Sequence, residues 1–323
     1  MKPNDVLKAF EISLEEIKKI TSLYAYAPVY RFSYAGRDYV TKRTGVRSDK
    51  NAIAAWTNYL VSKGIKSVAP VQDLGQNPQC LSNKSNNKQE NWVVYPFIEG
   101  IPYTGNTAQI LAAGRLLGQI HAVGMETNFD LKVSKTIVAI ETEKIEAQIK
   151  EVCLQVEQHA LEYLSQAKEI LTFYSQHYLE KTLPKLLKIE LPLTNCSWDY
   201  KAANLIYQTD SSPVLIDPDH CGRIPRMYDL ATALILFHCD LPPAPKRMFT
   251  LTEWQTFLLG YQQFVLPTKE EIETWQDVLL SAWIDQALWL LSHFPKGWAD
   301  TEESRYLLSL LTTNLSQFSL NLG

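Results

Sequence analysis

Over the first hundred residues, short runs that alternate apolar and polar positions are punctuated by turn residues, whereas after residue 105 the apolar positions recur at helical spacing. Val29 to Ala35 (VYRFSYA) and Asp38 to Thr44 (DYVTKRT) read as two antiparallel strands, joined at Gly36 and Arg37 because glycine tolerates the positive φ of a tight turn. SDKNAIAAWTNYLVSKG then reads as an amphipathic helix: Ser48 or Asp49 caps it, Ile53, Trp56 and Leu60 share a face, and Gly64 stops it. The tract LSNKSNNKQEN has no apolar period and is read as a mobile hairpin loop; NWVVYPFIEG supplies a buried strand that has to stop at Gly100 and Pro102, where the chain can pass between lobes. From AQILAAGRLLGQIHAVG onward the pattern predicts helices at about 139–180, 251–266, 270–295 and 302–319, with one β-rich island near 203–217. DLATALILFHCD, Asp229 to Asp240, is too short to span a bilayer and reads as a buried helix.

This asymmetry predicts an α+β fold with two lobes: residues 1–99 form an antiparallel sheet with one main helix, and residues 100–323 form a larger helical lobe. A chain of 323 residues with 46% apolar side chains has enough material for a sizeable core. With 31 basic against 35 acidic residues, the formal charge of -4 offers no general attraction to nucleic acid or to an anionic membrane, so neither is expected as a partner. The N-terminus lacks the apolar core of a signal peptide, and five scattered cysteines fit a reducing compartment, so a cytoplasmic location is expected. Neither the cysteines nor the six histidines show metal-ligand spacing, and no structural metal is expected. Oligomeric state is not readable from the chain.

Candidate chemistry concentrates in SWDYKAANLIY (Ser197 to Tyr207) and SPVLIDPDHCGRIPRMYDLA (Ser212 to Ala231), which set carboxylates beside strand-like runs. Asp199 and Asn204 stand five apart on a loop; Asp217 ends the strand VLI, and Asp219 follows two residues later. Read singly, Asp199 caps a turn, Asn204 is a turn residue and Asp219 is a solvated loop carboxylate. Together they match phosphoryl transfer. That reaction needs a carboxylate to orient an acceptor hydroxyl, here Asp199, and hard oxygen ligands for Mg²⁺ shared with ATP phosphates, here Asn204 and Asp217 with Asp219 as a further ligand.

At these residues the chain resembles the aminoglycoside phosphotransferases and their relatives choline kinase, methylthioribose kinase and bacterial homoserine kinase. CSWDYKAAN resembles the family's HGDxxxxN or HNDxxxxN loop, IDPD (Ile216 to Asp219) its magnesium-binding segment, YPFIEGIPY its hinge, AGRLLGQIHAVG its LGxxLAxLH helix, and Asp229-Leu230-Ala231 its DLA signature. The resemblance implies a protein kinase-like fold and a kinase that moves the γ-phosphate of ATP, with Mg²⁺, to a small hydroxylated acceptor. It also implies that Lys42 contacts ATP phosphates and that Tyr95, Pro96, Phe97 and Ile98 line the adenine pocket. The acidic balance of the chain favours an amino alcohol, amino sugar or aminoglycoside-like acceptor.

The chain departs from the pattern at four places. Ser197 replaces the family's His, and its hydroxyl is expected to give a weaker hydrogen-bonded substitute. Trp198 replaces Gly or Asn, residues 50–64 contain no carboxylate to pair with Lys42, and LYAYAPVYRF has no glycine. These departures leave open a second reading, a nucleotide-binding or scaffold protein with impaired transfer. Outside the motifs, His121 reads as a packing histidine, Asp229 as an N-cap or loop brace, and Trp283 and Trp289 as a core stripe that includes Asp285.

Overall fold

The computed structural model describes residues 1–24, 27–83, 88–133 and 139–320. The chain opens with helix α1 (Pro3–Ala9), which starts on a proline whose missing N–H costs nothing in a first turn. Strands β1 (Ile20–Ser22), β2 (Val29–Tyr34) and β3 (Arg37–Thr44) lead to α2 (Lys50–Ser62), and then come β4 (Gln79–Asn83) and β5 (Lys88–Pro96). All five strands form one antiparallel sheet in the order β1-β2-β3-β5-β4.

The β2–β3 turn sits one residue earlier than the pattern suggests, on Ala35 and Gly36 with φ of 49° and 76°. Both residues must be left-handed for a two-residue hairpin to match strand twist. The polar tract is shorter as a loop than expected: Leu81–Asn83 and Lys88–Asn91 are paired in β4 and β5, and its tip, 84–87, lies outside the described residues. Cross-strand pairing supplies the reason, because polar residues on a half-exposed ladder carry no apolar period of their own.

Strand alternation gives the sheet two different faces. Phe32, Tyr39, Trp92 and Val94 pack under Val6, Leu7, Phe10 and Ile12 of the N-terminal segment, closing one small core. By register, Val29, Lys42 and Val93 share the opposite face with Arg31, Val40 and Tyr95. Helix α2 turns Ile53, Trp56 and Leu60 into the main core of the helical part, and the Trp56 and Phe129 rings lie 5.5 Å apart.

The chain enters the helical part through Ile101, whose N–H and C=O bond the backbone of Tyr207 at 2.8 and 3.0 Å. A Cβ on Gly100 would stand 2.4 Å from the Tyr207 carbonyl oxygen, so this passage requires glycine. Next are α3 (Thr107–Met125), α4 (Thr142–His159), α5 (Leu164–His177), a π turn at Tyr178–Thr182 and α6 (Leu183–Leu186). Short strands β6 (Leu193–Cys196), β7 (Leu205–Tyr207), β8 (Pro213–Leu215) and β9 (Gly222–Pro225) precede α7 (Arg226–Leu236) and α8 (Leu251–Tyr261). The chain closes with α9 (Lys269–Ala282), a π turn at Trp283–Ala287, α10 (Leu288–His293), α11 (Pro295–Ala299) and α12 (Thr301–Thr312).

Trp283 is fully buried as expected, but Trp289 is half exposed and stacks on His293. The π turn adds an extra residue per turn just before Trp289, which rotates the stripe away from the core. Among the described residues no helix is long and apolar enough to cross a membrane.

Candidate active site

Two loops, 197–204 and 216–221, meet because two short antiparallel ladders frame them. Cys196 pairs with Gly222 in β6–β9, which joins the start of the first loop to the end of the second. Leu205 pairs with Leu215 in β7–β8, and the N–H of Ile216 donates to the Asn204 carbonyl at 3.0 Å, joining the other ends. Both ends of the first loop are thereby held to the ends of the second.

Within the first loop the Asn204 amide donates to the Asp199 carbonyl and to Asp199 Oδ2 at 2.9 and 3.0 Å. That leaves Asn204 Oδ1 as the oxygen this side chain can offer to a cation. Lys201 Nζ lies 3.5 Å from Asp199 Oδ1 and 3.2 Å from Asp240 Oδ2. Burial alone would lower the Lys201 pKa, but the two carboxylates outweigh it and hold the ammonium well above its ordinary value.

From the sheet, Lys42 reaches the second loop. Its Nζ lies 2.5 Å from Asp217 Oδ2 and 2.8 Å from Asp219 Oδ2, and the Tyr95 hydroxyl donates to Asp219 Oδ1 at 2.8 Å. Lys42 therefore pairs with these two aspartates in place of a carboxylate on α2. Burial disfavours its charge, yet Asp219 and Asp217 raise its pKa. Burial likewise pushes Asp217 up, but Lys42 more than compensates and the carboxyl ends below its usual range. Asp219 goes the other way: burial and the Asp217 charge keep it raised against the pull of Lys42.

The side chains thus form two polar sets, Asp199 with Asn204 and Lys201 on the first loop and Asp217 and Asp219 with Lys42 on the second, and the backbone pairing of the loop ends joins the two. The expected base-pocket residues divide. Tyr95 and Ile98 join a small apolar cluster with Val68, Val93, Val214 and Ile216, while the Tyr95 hydroxyl reaches Asp219. Pro96 pairs with Tyr39 in the sheet, and the Phe97 ring lies under the Arg31 guanidinium at 3.8 Å. A pocket is lined by Thr44, Arg47, Ile53, Val93, Tyr95 and Asp219.

Strand β6, which leads into the first loop, is tied to α3, because the Thr194 hydroxyl donates to the His121 carbonyl at 3.0 Å. His121 Nε2 meets Asp229 Oδ2 at 2.9 Å and His121 Nδ1 meets the Tyr261 hydroxyl at 3.0 Å, all within the core. Asp229 lies inside the first turn of α7 and braces rather than caps it. Ser197 does not act as a hydrogen-bonded substitute for histidine: its buried hydroxyl has no partner among the described residues, because a hydroxyl one bond beyond Cβ reaches less far than an imidazole nitrogen. Trp198 adopts φ of 56°, which explains why Gly or Asn suits this position in the resembling motif.

Two site residues escaped the sequence reading. Lys201 stands two after Asp199 in DYKAAN, and its position inside that motif was the available signal. Arg47, in the loop before α2, donates to the carbonyls of Asp219 and Cys221 at 3.1 and 2.9 Å; its partners lie more than 170 residues away and leave no local pattern.

The profile of the phosphotransferase enzyme family matches residues 22–278. The chain belongs to this family. The family is one of phosphotransferase enzymes. Solved structures share the protein kinase-like fold of this phosphotransferase at low identity. An amicoumacin kinase in complex with AMP-PNP and Ca²⁺ superimposes with a TM-score of 0.66 at 17% identity, covering 99% of this chain and 95% of its own. A microcompartment-associated aminopropanol kinase follows at 0.63 and 15%, covering 99% and 98%. An aminoglycoside phosphotransferase from Alicyclobacillus acidocaldarius gives 0.59 and 14%, covering 96% and 95%. No curated protein matches the chain.

Proposed function

We propose that this phosphotransferase moves the γ-phosphate of ATP to the hydroxyl of a small amine-bearing acceptor, an amino alcohol, amino sugar or aminoglycoside-like molecule. One observation carries the reading: Lys42 on the sheet pairs with Asp217 and Asp219 on a loop whose ends are held by backbone pairing to the loop on which Asn204 fixes Asp199. Support for the donor and acceptor class comes from the family and from similar structures, which include a kinase bound to AMP-PNP and Ca²⁺ and an aminopropanol kinase.

The residues fit a divalent cation. Asp217 Oδ1 is buried with no hydrogen-bond partner among the described residues, and two carboxylates face a single ammonium. Together with Asn204 Oδ1 they supply hard oxygens, and among the described residues no cluster of three His, Cys, Asp or Glu side chains completes a cage, so nucleotide phosphates and water would fill the remaining positions. When bound, Mg²⁺ neutralises charge on the phosphate oxygens.

The chain's own residues do the rest. Asn204 fixes one oxygen of Asp199, so the carboxylate, about a quarter exposed, can orient the acceptor hydroxyl and take its proton. Lys42 places positive charge where the donor phosphates lie, and Lys201 places another beside the reacting oxygens. Turnover of ATP should be measured over a panel of amino alcohols, amino sugars and aminoglycosides. Asp199→Asn and Asp217→Asn are expected to lower kcat about a hundredfold or more with the fold intact. Unchanged turnover in both variants overturns the site; ATP binding without product on any acceptor favours the impaired-transfer reading.

A further inference from the structure

We propose that Arg47 and Asp49 form a clamp between the sheet and the helical lobe that positions Asp219, the positioning device of a chain whose α2 carries no carboxylate. The proposal rests on the phosphoryl-transfer reading of the site and adds to it two residues that no motif includes.

The clamp is built from one bidentate pair. Arg47 Nε and Nη2 donate to Asp49 Oδ1 and Oδ2 at 2.8 and 2.6 Å. The same guanidinium donates through Nη1 to the Asp219 carbonyl at 3.1 Å and through Nη2 to the Cys221 carbonyl at 2.9 Å. Asp49 Oδ2 in turn accepts from the Lys132 N–H at 2.7 Å, and the Lys132 carbonyl accepts from the Arg223 N–H at 2.9 Å. The pair therefore grips the backbone of the helical lobe at residues 132, 219 and 221. Its other end is anchored to the sheet, because Asn91 of β5 donates to the Gly45 carbonyl at 3.0 Å.

Three features separate this arrangement from an incidental ion pair. Both side chains are largely buried, 23% and 12% exposed, so the pairing is less screened than on an open surface. Asp49 occupies the cap position of α2 yet makes no cap hydrogen bond, so its carboxylate is diverted from a role that ordinarily stabilises a helix by about 1 kcal/mol. Asp219 has both carboxylate oxygens engaged, by Tyr95 and Lys42, and Arg47 fixes its carbonyl, so the residue is held at both ends. Only the planar fork of arginine can serve four oxygens at once; a lysine ammonium is a single point of contact.

The test compares Arg47→Ala, Arg47→Lys, Asp49→Asn and Asp217→Asn in the full chain. Hydrogen exchange of the ligand-free protein is followed over residues 216–225, and AMP-PNP affinity and kcat are measured against Mg²⁺ concentration. In Arg47→Ala, exchange over 216–225 is expected to rise about tenfold while that of α8 stays unchanged, and the Mg²⁺ concentration for half-maximal turnover is expected to rise about tenfold, with the acceptor KM unmoved. Arg47→Lys should behave like Arg47→Ala, and Asp49→Asn, which keeps the shape, should show the same changes at smaller amplitude. Wild-type exchange and Mg²⁺ dependence in Arg47→Ala, or in Asp49→Asn should the former not fold, overturn the clamp. Loss of turnover in Asp217→Asn alone then leaves the transfer reading standing, whereas full turnover in Asp217→Asn overturns that reading itself.

Discussion

Ser197 and Trp198 sit immediately before the candidate base and carry opposite kinds of cost. A buried hydroxyl without a partner loses its hydration and gains nothing in exchange. Ser197→Ala is therefore expected to leave stability unchanged or raise it by up to about 1 kcal/mol, read from urea denaturation, with turnover unaltered. A loss above about 1 kcal/mol would mean that the hydroxyl does hold the loop. Trp198, with φ of 56°, adopts a conformation that costs a non-glycine residue about 1 kcal/mol. Its ring offsets that cost by covering Gly222, where a Cβ would come within 2.6 Å of it, so strain at one position and glycine at another are a single packing solution.

Between elements, the crossing of α3 and α8 decides where His121 sits. A Cβ on Gly114 would stand 2.0 Å from the Phe257 carbonyl oxygen, and one on Gly260 would stand 2.2 Å from that of Leu111, so each helix presents a glycine to the backbone of the other. Farther along α3, Gly124 approaches the Asn195 carbonyl of β6 in the same way, with a virtual Cβ at 2.2 Å. Close approach at both points sets His121 between Tyr261 and Asp229. Gly114→Ala is expected to destabilise the protein by about 3 kcal/mol through backbone overpacking, seen as a lower midpoint in thermal unfolding. Surviving activity should fall as well, because the shift of α3 displaces His121. A variant with the melting temperature of wild type would show that the crossing is looser than its glycines imply.

For the molecule as a whole, His238 links the passage between lobes to the helical part. Its Nδ1–H donates to the Arg247 carbonyl at 2.8 Å and its Nε2 accepts from the Tyr103 hydroxyl at 2.9 Å. Burial lowers its pKa to about 4, so the ring is neutral in the folded state while the unfolded chain binds a proton near pH 6.5. The sign follows: this stabilisation is complete above about pH 6.5 and is lost as pH falls from there toward 4, by up to about 3 kcal/mol. Denaturation midpoints measured between pH 7 and 4 should show the decline, and His238→Gln should flatten it. An equally steep decline in that variant would assign the pH dependence to other groups.

Local periodicity and turn chemistry were sufficient to place β2, β3, α2 and β5, since strand alternation, helix faces and a left-handed glycine are properties of neighbouring residues. The spacing of Asp199, Asn204, Asp217 and Asp219 was likewise visible, because two short loops hold them. What the sequence by itself determined is therefore the placement of these elements, the two-lobed α+β class and the residue types available for phosphoryl chemistry. Only the tertiary structure decided that Lys42 pairs with Asp217 and Asp219, that Tyr95 donates to Asp219, that Arg47 grips a loop more than 170 residues away, and that the Ser197 hydroxyl meets no partner among the described residues. The physical reason is that periodicity records which side of an element faces the core, whereas partners, virtual Cβ clashes and unsatisfied atoms depend on how closely two distant segments approach, and no local pattern encodes that distance.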